Sequence, residues 1–227
     1  MSAAPFAVEA KDVWKFYGDF PALREISFTV EKGQCVALLG RNGAGKTTLL
    51  RVAAGLSHAA RGEVKIDGGI GWLGHGIGVY DELSALENLT IFGKLHRVPE
   101  PGKRAMEWLE RTNLAVVKDA RVREFSRGMR QRLAVARAFI HDPGVMLFDE
   151  PFTSLDDRAI ALLQGLIADA LQRGRTVVMS THQLREAMEL ATHVVLLQRG
   201  QLVFQGPRPV EMLTDPGWLY RTYGESQ

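Results

Sequence analysis

Apolar residues follow two periods along this chain, and the change from one to the other divides it. Near the start they alternate or run unbroken over short stretches, which predicts strands at Val8 to Tyr17 and Leu23 to Val30, turning at Phe20-Pro21. Ile26, Phe28 and Val30 alternate with polar partners, as in a half-exposed antiparallel strand, and Glu31-Lys32-Gly33 makes the next turn. Gly62 to Gly68 reads as a further alternating strand closed by a turn, and Ile70 to Leu73 as another. Cys35 to Leu39, Val145 to Phe148 and Thr176 to Met179 carry almost no polar residues, the mark of parallel strands buried on both faces. Val194 to Leu197 and Leu202 to Phe204, joined through Arg199-Gly200, form a closing hairpin.

Helical spacing takes over elsewhere. Leu49, Ala53 and Leu56 recur on one face, with Gly55 near the expected helix end. A helical block follows at about 83–142. It comprises Ala85 to Leu95, Lys103 to Arg111 after the breaker Pro99-Glu100-Pro101-Gly102, and Met129 to Ile140 with Leu133, Ala136 and Ile140 on one side. Asp157 to Gln172 carries Ile160, Leu163, Ile167 and Ala170 as a stripe, stopped by Gly174. The expectation is one α/β unit spanning 1–227, with the helical block inserted between two of its strands.

Composition narrows this little but usefully. With 227 residues, 46% of them apolar, the chain can bury one good core. Its 28 basic and 26 acidic side chains are interspersed, and a net charge of +2 argues against nucleic acid as a partner. Cys35, the single cysteine, falls inside a buried strand and reads as packing in a reducing compartment. No apolar run reaches the ~18 residues of a membrane span, and Met1 to Ala10 lacks the pattern of a secretory leader. A soluble, cytosolic chain is expected, with any membrane role exercised through a partner.

The chemistry concentrates at Gly40-Arg41-Asn42-Gly43-Ala44-Gly45-Lys46-Thr47, which matches the phosphate-binding pattern G-x-x-x-x-G-K-[ST] and lies between a predicted strand and a predicted helix. Glycines let backbone N–H groups wrap a phosphate, the helix start adds its positive dipole end, and Lys46 supplies a point charge. Thr47 is suited to magnesium. The strand Val145 to Phe148 then delivers Asp149 and Glu150 to its carboxyl end, where ligands bind in open α/β sheets. Asp149 suits magnesium, and Glu150 suits orienting or deprotonating a water. His182, after Ser180-Thr181, sits at another strand end and reads as a γ-phosphate donor or as a structural histidine. Tyr17, beside Gly18, either stacks on a nucleotide base or joins Trp14 and Phe16 in the core. Gly74, Gly76 and Gly78 make the loop around His75 mobile. His58, His96, His141 and His193 read as scattered and structural, and Trp218 and Tyr220 as a short tail without evident chemistry.

Together these motifs resemble an ATP-binding-cassette (ABC) ATPase from about Val8 to Gly206. The resemblance implies a P-loop NTPase fold with a mixed core sheet, a small antiparallel lobe and an inserted helical subdomain. The lobe is expected to be reduced, because the chain is short between Asp67 and Ile70. It further implies Tyr17 as the adenine-stacking aromatic, 40–48 with Gly40, Asn42, Gly43, Ala44, Gly45, Lys46, Thr47 and Thr48 as the Walker A loop, and Val145 to Asp149 as Walker B. Glu150 would be the catalytic carboxylate, Ser154 to Asp156 the D-loop and His182 the switch histidine. Phe125-Ser126-Arg127-Gly128-Met129 stands where the family's signature falls, with Arg127 and Met129 in place of the usual glycine and glutamine, so Ser126 and Gly128 carry over. His75 stands where the family's loop presents a glutamine. It is either a catalytic, pH-sensitive contact to water or a residue that packs in its loop.

The resemblance also implies ATP and Mg2+ as ligands, a homodimer of cassettes that completes each site, and a membrane permease as partner at the inner face of the cell membrane. Within the family, Trp72-Leu73-Gly74-His75, the run from Leu83 to Leu89 and the run from Ser126 to Arg132 are most similar to the ATPase of the cytochrome c maturation haem exporter. The alternative is a soluble ABC ATPase serving a cytosolic assembly.

Overall fold

A computed structural model describes residues 6–74, 76, 78–153, 155–215 and 217–223. His75 and Ser154 therefore lie outside the described residues. The first strand, β1 (Phe6–Tyr17), is flanked by β2 (Phe20–Glu31) and β4 (Arg61–Ile66) in an antiparallel sheet of order β2-β1-β4. Its register sets Val8 against Val30, Ala10 against Phe28 and Val13 against Ile26, all buried, so the alternation in the sequence becomes one apolar face. That small antiparallel sheet and a larger mixed one are the two sheets expected.

The larger sheet has six strands in the order β5-β6-β7-β3-β8-β9. They are β3 (Cys35–Leu39), β5 (Ile70–Leu73), β6 (Val145–Asp149), β7 (Thr176–Ser180), β8 (His193–Gln198) and β9 (Gln201–Pro207). Every residue of β3, β6 and β7 is buried, which explains the unbroken apolar runs. Only β9 runs antiparallel, returning from β8 as the predicted hairpin. Ile70 to Leu73 does not extend the alternating series; it pairs in parallel with β6. Gly71 lets a helix lie close over this strand, since a Cβ there would stand 2.5 Å from the Ala138 carbonyl oxygen.

One apolar cluster fills the space between the two sheets around α1 (Lys46–Ala53), and a second covers the opposite face of the large sheet. The second is built by α2 (Ala85–Leu95), α3 (Pro101–Arg111), α4 (Arg127–Phe139) and α5 (Asp157–Gln172), followed by the short α6 (Leu184–Met188) and α7 (Trp218–Tyr223). The helix ends follow local chemistry. Ser84 and Glu87 form a reciprocal capping box on α2, and Ser126 caps α4 by accepting from the Met129 N–H at 3.2 Å. Leu133, Ala136 and Ile140 are all buried on α4's inner side, as the spacing predicts.

Three details differ from expectation. Pro101 does not break the chain; it opens α3, where its missing N–H costs nothing, after Glu100 has turned at φ 46°. The first helix stops at Ala53, and Gly55 turns the chain with φ 71°, so Leu56 falls beyond it and is exposed. His96 and His141 are not scattered, because their rings stack with centroids 3.8 Å apart and planes within 7°. Among the described residues no helix is long and apolar enough to cross a membrane, and no group of three or more His, Cys, Asp or Glu is placed to hold a metal.

Candidate functional site

The carboxyl ends of β3, β6 and β7 lie side by side, so the loops leaving them meet. The loop after β3 begins at Gly40 with φ 151°, and a Cβ there would be 2.6 Å from the Leu197 carbonyl oxygen. Only glycine lets the loop leave the sheet this close to β8. At Gly43, with φ 80°, nothing lies within 4 Å of the missing Cβ, and that side of the loop faces an open cleft. The backbone thus presents a cradle on the cleft side and is wedged on the sheet side.

Lys46, 7% exposed, folds back into the loop and its Nζ donates to the carbonyl oxygens of Gly40 at 2.7 Å and Arg41 at 3.3 Å. Burial pulls its ammonium below the ordinary lysine range, and the carboxylates of Glu150 and Asp149 oppose that pull. The same ammonium therefore lies in the field of two carboxylates, so an anion bound beside it needs a further cation to offset their charge.

Asp149 ends β6 opposite Ser180 at the end of β7. Its Oδ1 accepts from the Thr47 hydroxyl at 3.0 Å and from the Ser180 hydroxyl at 2.6 Å. The next residue, Glu150, leaves the strand at φ 55°, a left-handed conformation that a non-glycine residue adopts only at a cost of about 1–3 kcal/mol. Its N–H donates to the carbonyl and to the hydroxyl oxygen of Ser180, each at 3.1 Å. The Glu150 side chain turns to His182, whose backbone N–H donates to Oε2 at 3.1 Å and whose Nδ1 lies 2.7 Å from the same oxygen. An ionised carboxylate only accepts, which assigns the ring proton to Nδ1. From Thr47 through Asp149 and Ser180 to Glu150 and His182, one chain of hydrogen bonds ties three strand ends together.

These groups border a cleft of about 650 Å³, within the range of nucleotide-sized pockets. Asn42, Gly43, Ala44, Gly45, Lys46, Thr47, Thr48, Glu150 and His182 line it, and Tyr17 and Phe20 form its rim. Tyr17 is 53% exposed and Phe16 39%, and Trp14 is only partly buried, so none of the three belongs to the core. A second cavity of about 450 Å³ opens on the far side of Thr47 and Asp149, where Leu56, Trp72, Gly74 and Gly76 line it.

Not every expected residue gathers here. Ser126 and Gly128 stand at the amino end of α4 and line neither cavity. Conversely, Ser180 and Phe20 belong to the site without standing in any of the motifs above. Ser180 carried a usable signal, being the polar end of an apolar strand that must lie next to Asp149 if the strands are parallel neighbours.

Comparison with known proteins agrees with this geometry. Residues 23–153 match the family described as ABC transporter. The ABC transporter ATP-binding protein NatA of Bacillus subtilis is 37% identical over 200 residues, covering 82% of this chain and 81% of that protein. The Nod factor export ATP-binding protein I of Cupriavidus metallidurans is 34% identical over 220 residues, covering 91% and 72%. Among solved structures, a dimeric ATP-binding cassette in a post-hydrolysis state bound to ADP and Pi superimposes with a TM-score of 0.78 at 27% identity, covering 89% of this chain and 99% of that one.

Proposed function

The chain belongs to the ABC transporter family of ATP-binding cassettes, which are ATPases, and on that premise we propose that it is the subunit whose ATP hydrolysis drives a membrane permease in export. The observation that carries this reading is the convergence on one cleft of the phosphate cradle, the buried Lys46, Thr47 and the Glu150–His182 pair, with Asp149 hydrogen-bonded to Thr47 behind it.

In this reading Tyr17 stacks on the base at the cleft rim, and the N–H groups of Gly43 to Thr48 receive the phosphates. Lys46 exchanges its carbonyl partners for the β and γ phosphates. Two oxygen donors, the Thr47 hydroxyl and the Asp149 carboxylate, lie 3.0 Å apart and fit a hard divalent cation. Mg2+ held by them would neutralise charge on the phosphates. Glu150 positions a water for in-line attack on the γ-phosphorus and takes its proton. The new P–O bond forms as the bond from the γ-phosphorus to the bridging oxygen breaks, giving ADP and Pi. His182 holds the Glu150 carboxylate and reaches the γ-phosphate.

Ser126 and Gly128, outside this chain's own cleft, serve the ATP of a second copy, so the working form is a head-to-tail dimer. The dimeric cassette bound to ADP and Pi supports that arrangement. Export is supported by the Nod factor export relative, and with it goes the reading of a chain at the inner face of the cell membrane beside its permease. For the transporter served, the residues from Trp72, from Leu83 and from Ser126 support the haem exporter of cytochrome c maturation, while the Nod factor export relative supports a different exporter.

The decisive variant is Glu150→Gln. It is expected to bind ATP with wild-type affinity, accumulate as a dimer in size-exclusion chromatography, and turn over about 10²- to 10³-fold more slowly. Wild-type turnover would overturn the role of Glu150. A pull-down from detergent-solubilised membranes then identifies the permease. A haem-pathway subunit would support the finer reading and any other permease would remove it, whereas soluble partners alone would favour the cytosolic alternative.

A further inference from the structure

Tyr220 touches the phosphate loop from outside the cleft. The pairing of β3 with β8 ends at Leu39 and Leu196, and the next backbone N–H, that of Gly40, donates instead to the Tyr220 hydroxyl at 2.8 Å. The carbonyl of the same residue receives the Lys46 ammonium at 2.7 Å. Gly40 is thus held on its two polar sides by side chains that come from opposite directions.

The tyrosine is itself well supported. Its neighbour Leu219 is fully buried, and the rings of Trp218 and Tyr220 pack on the core cluster that includes Met212. Tyr223, one turn on, packs against Phe204 of β9 with ring centroids 5.1 Å apart. Burial holds the Tyr220 phenol above its ordinary range, the Gly40 bond opposing it, so the hydroxyl stays neutral and able to accept. A hydrogen bond anchored by a packed ring constrains the loop more than one made by a mobile side chain could.

We propose that Tyr220 is a positioning residue for nucleotide binding, its hydroxyl fixing the first amide of the phosphate loop so that the cradle keeps its shape when Lys46 leaves the Gly40 carbonyl for a phosphate. The proposal rests on the ATP-binding reading above. Of the two side-chain anchors at Gly40, one must be given up for the ligand, and Tyr220 is the one that remains. Without it, an N–H at the root of the loop loses its partner, and the loop must reorder each time a phosphate arrives.

Tyr220→Phe removes the hydroxyl and keeps the ring, which separates anchoring from packing. Dissociation constants for ATP and ADP, measured by titration with a fluorescent analogue, are expected to rise about 2- to 10-fold, the worth of one net hydrogen bond. KM for ATP should rise with them, and kcat should change less. In amide NMR spectra the Gly40 signal should move while those of β6 stay in place, which shows that the bond is made in solution, and the rise in KM without a matching fall in kcat is what a purely structural role would not produce. Tyr220→Ala, which also removes the ring, should lower the melting temperature in addition. Wild-type affinity in Tyr220→Phe, or a loss of affinity that only tracks a loss of melting temperature, would overturn the proposal. A wild-type protein that binds neither nucleotide would overturn both this proposal and the ATPase reading, so the two failures are distinguishable.

Discussion

The nucleotide-facing end of the large sheet and the helical block between β5 and β6 are held together by opposite means. At the sheet end, short polar side chains bond one another and the backbone, and Glu150 occupies a left-handed conformation. In the block, Trp108, Leu109, Leu89 and Leu133 are buried together, and α2 and α4 begin at side-chain caps. Polar networks fix geometry at little net gain in stability, whereas apolar packing supplies stability with little demand on any one angle. Substitutions in the first region should therefore cost turnover and those in the second should cost folding.

The sharpest test of that division is Trp108→Ala. The ring is 1% exposed and packs on Phe139 with centroids 5.3 Å apart, so its loss should cost about 3–5 kcal/mol in urea denaturation. ATP affinity of the folded fraction should not change; a proportional loss of affinity would mean the two regions are not separable. Ser180→Ala is the reverse case. It removes a donor to Asp149 and an acceptor for the Glu150 N–H, so kcat should fall about 10-fold for a stability loss of about 1–3 kcal/mol. Wild-type kcat in this variant would break the link between the hydrogen-bond chain and turnover.

The smallest effect concerns the stacked His96 and His141. Burial lowers both below the ordinary histidine value of 6.5, and for His141 the neighbouring His96 adds to it while the Ile70 carbonyl and Asp142 oppose. Arg137 disfavours a proton on either ring. Well above pH 6.5 both are neutral in the folded and unfolded chain and the pair costs nothing. Below it the unfolded chain binds protons first, so stability falls as pH drops from 6.5 toward the lower folded values. Melting temperature should decline over that window, by about 2–4 °C for each kcal/mol lost, and His141→Gln should flatten the decline. An unchanged slope in His141→Gln would remove the pair from the pH response.

What the sequence revealed, and what it hid, follows from the range of the interactions. The bounds Asp157 and Gln172 of α5 were readable because both stops are local, Asp156 accepting from the Ala159 N–H at 2.8 Å and Gly174 turning at φ 75°. The phosphate loop and the Asp149–Glu150 pair were readable because a fixed spacing sits between strand and helix signals. Pro101 misled because proline reads as a breaker in any context, although at the first helical position it lacks nothing. The partner strand of Ile70 to Leu73 depends on β6, far along the chain, and no local pattern carries it. Tyr220 meets Gly40 across 180 residues of sequence, so it read as tail.

The φ of 55° at Glu150 sets two selection pressures against each other. Glycine would relax that backbone, and a search for heat resistance alone would accept the exchange and discard the carboxylate that faces His182. Lineages kept for turnover and variants kept for durability should part company at this residue before any other in the cleft.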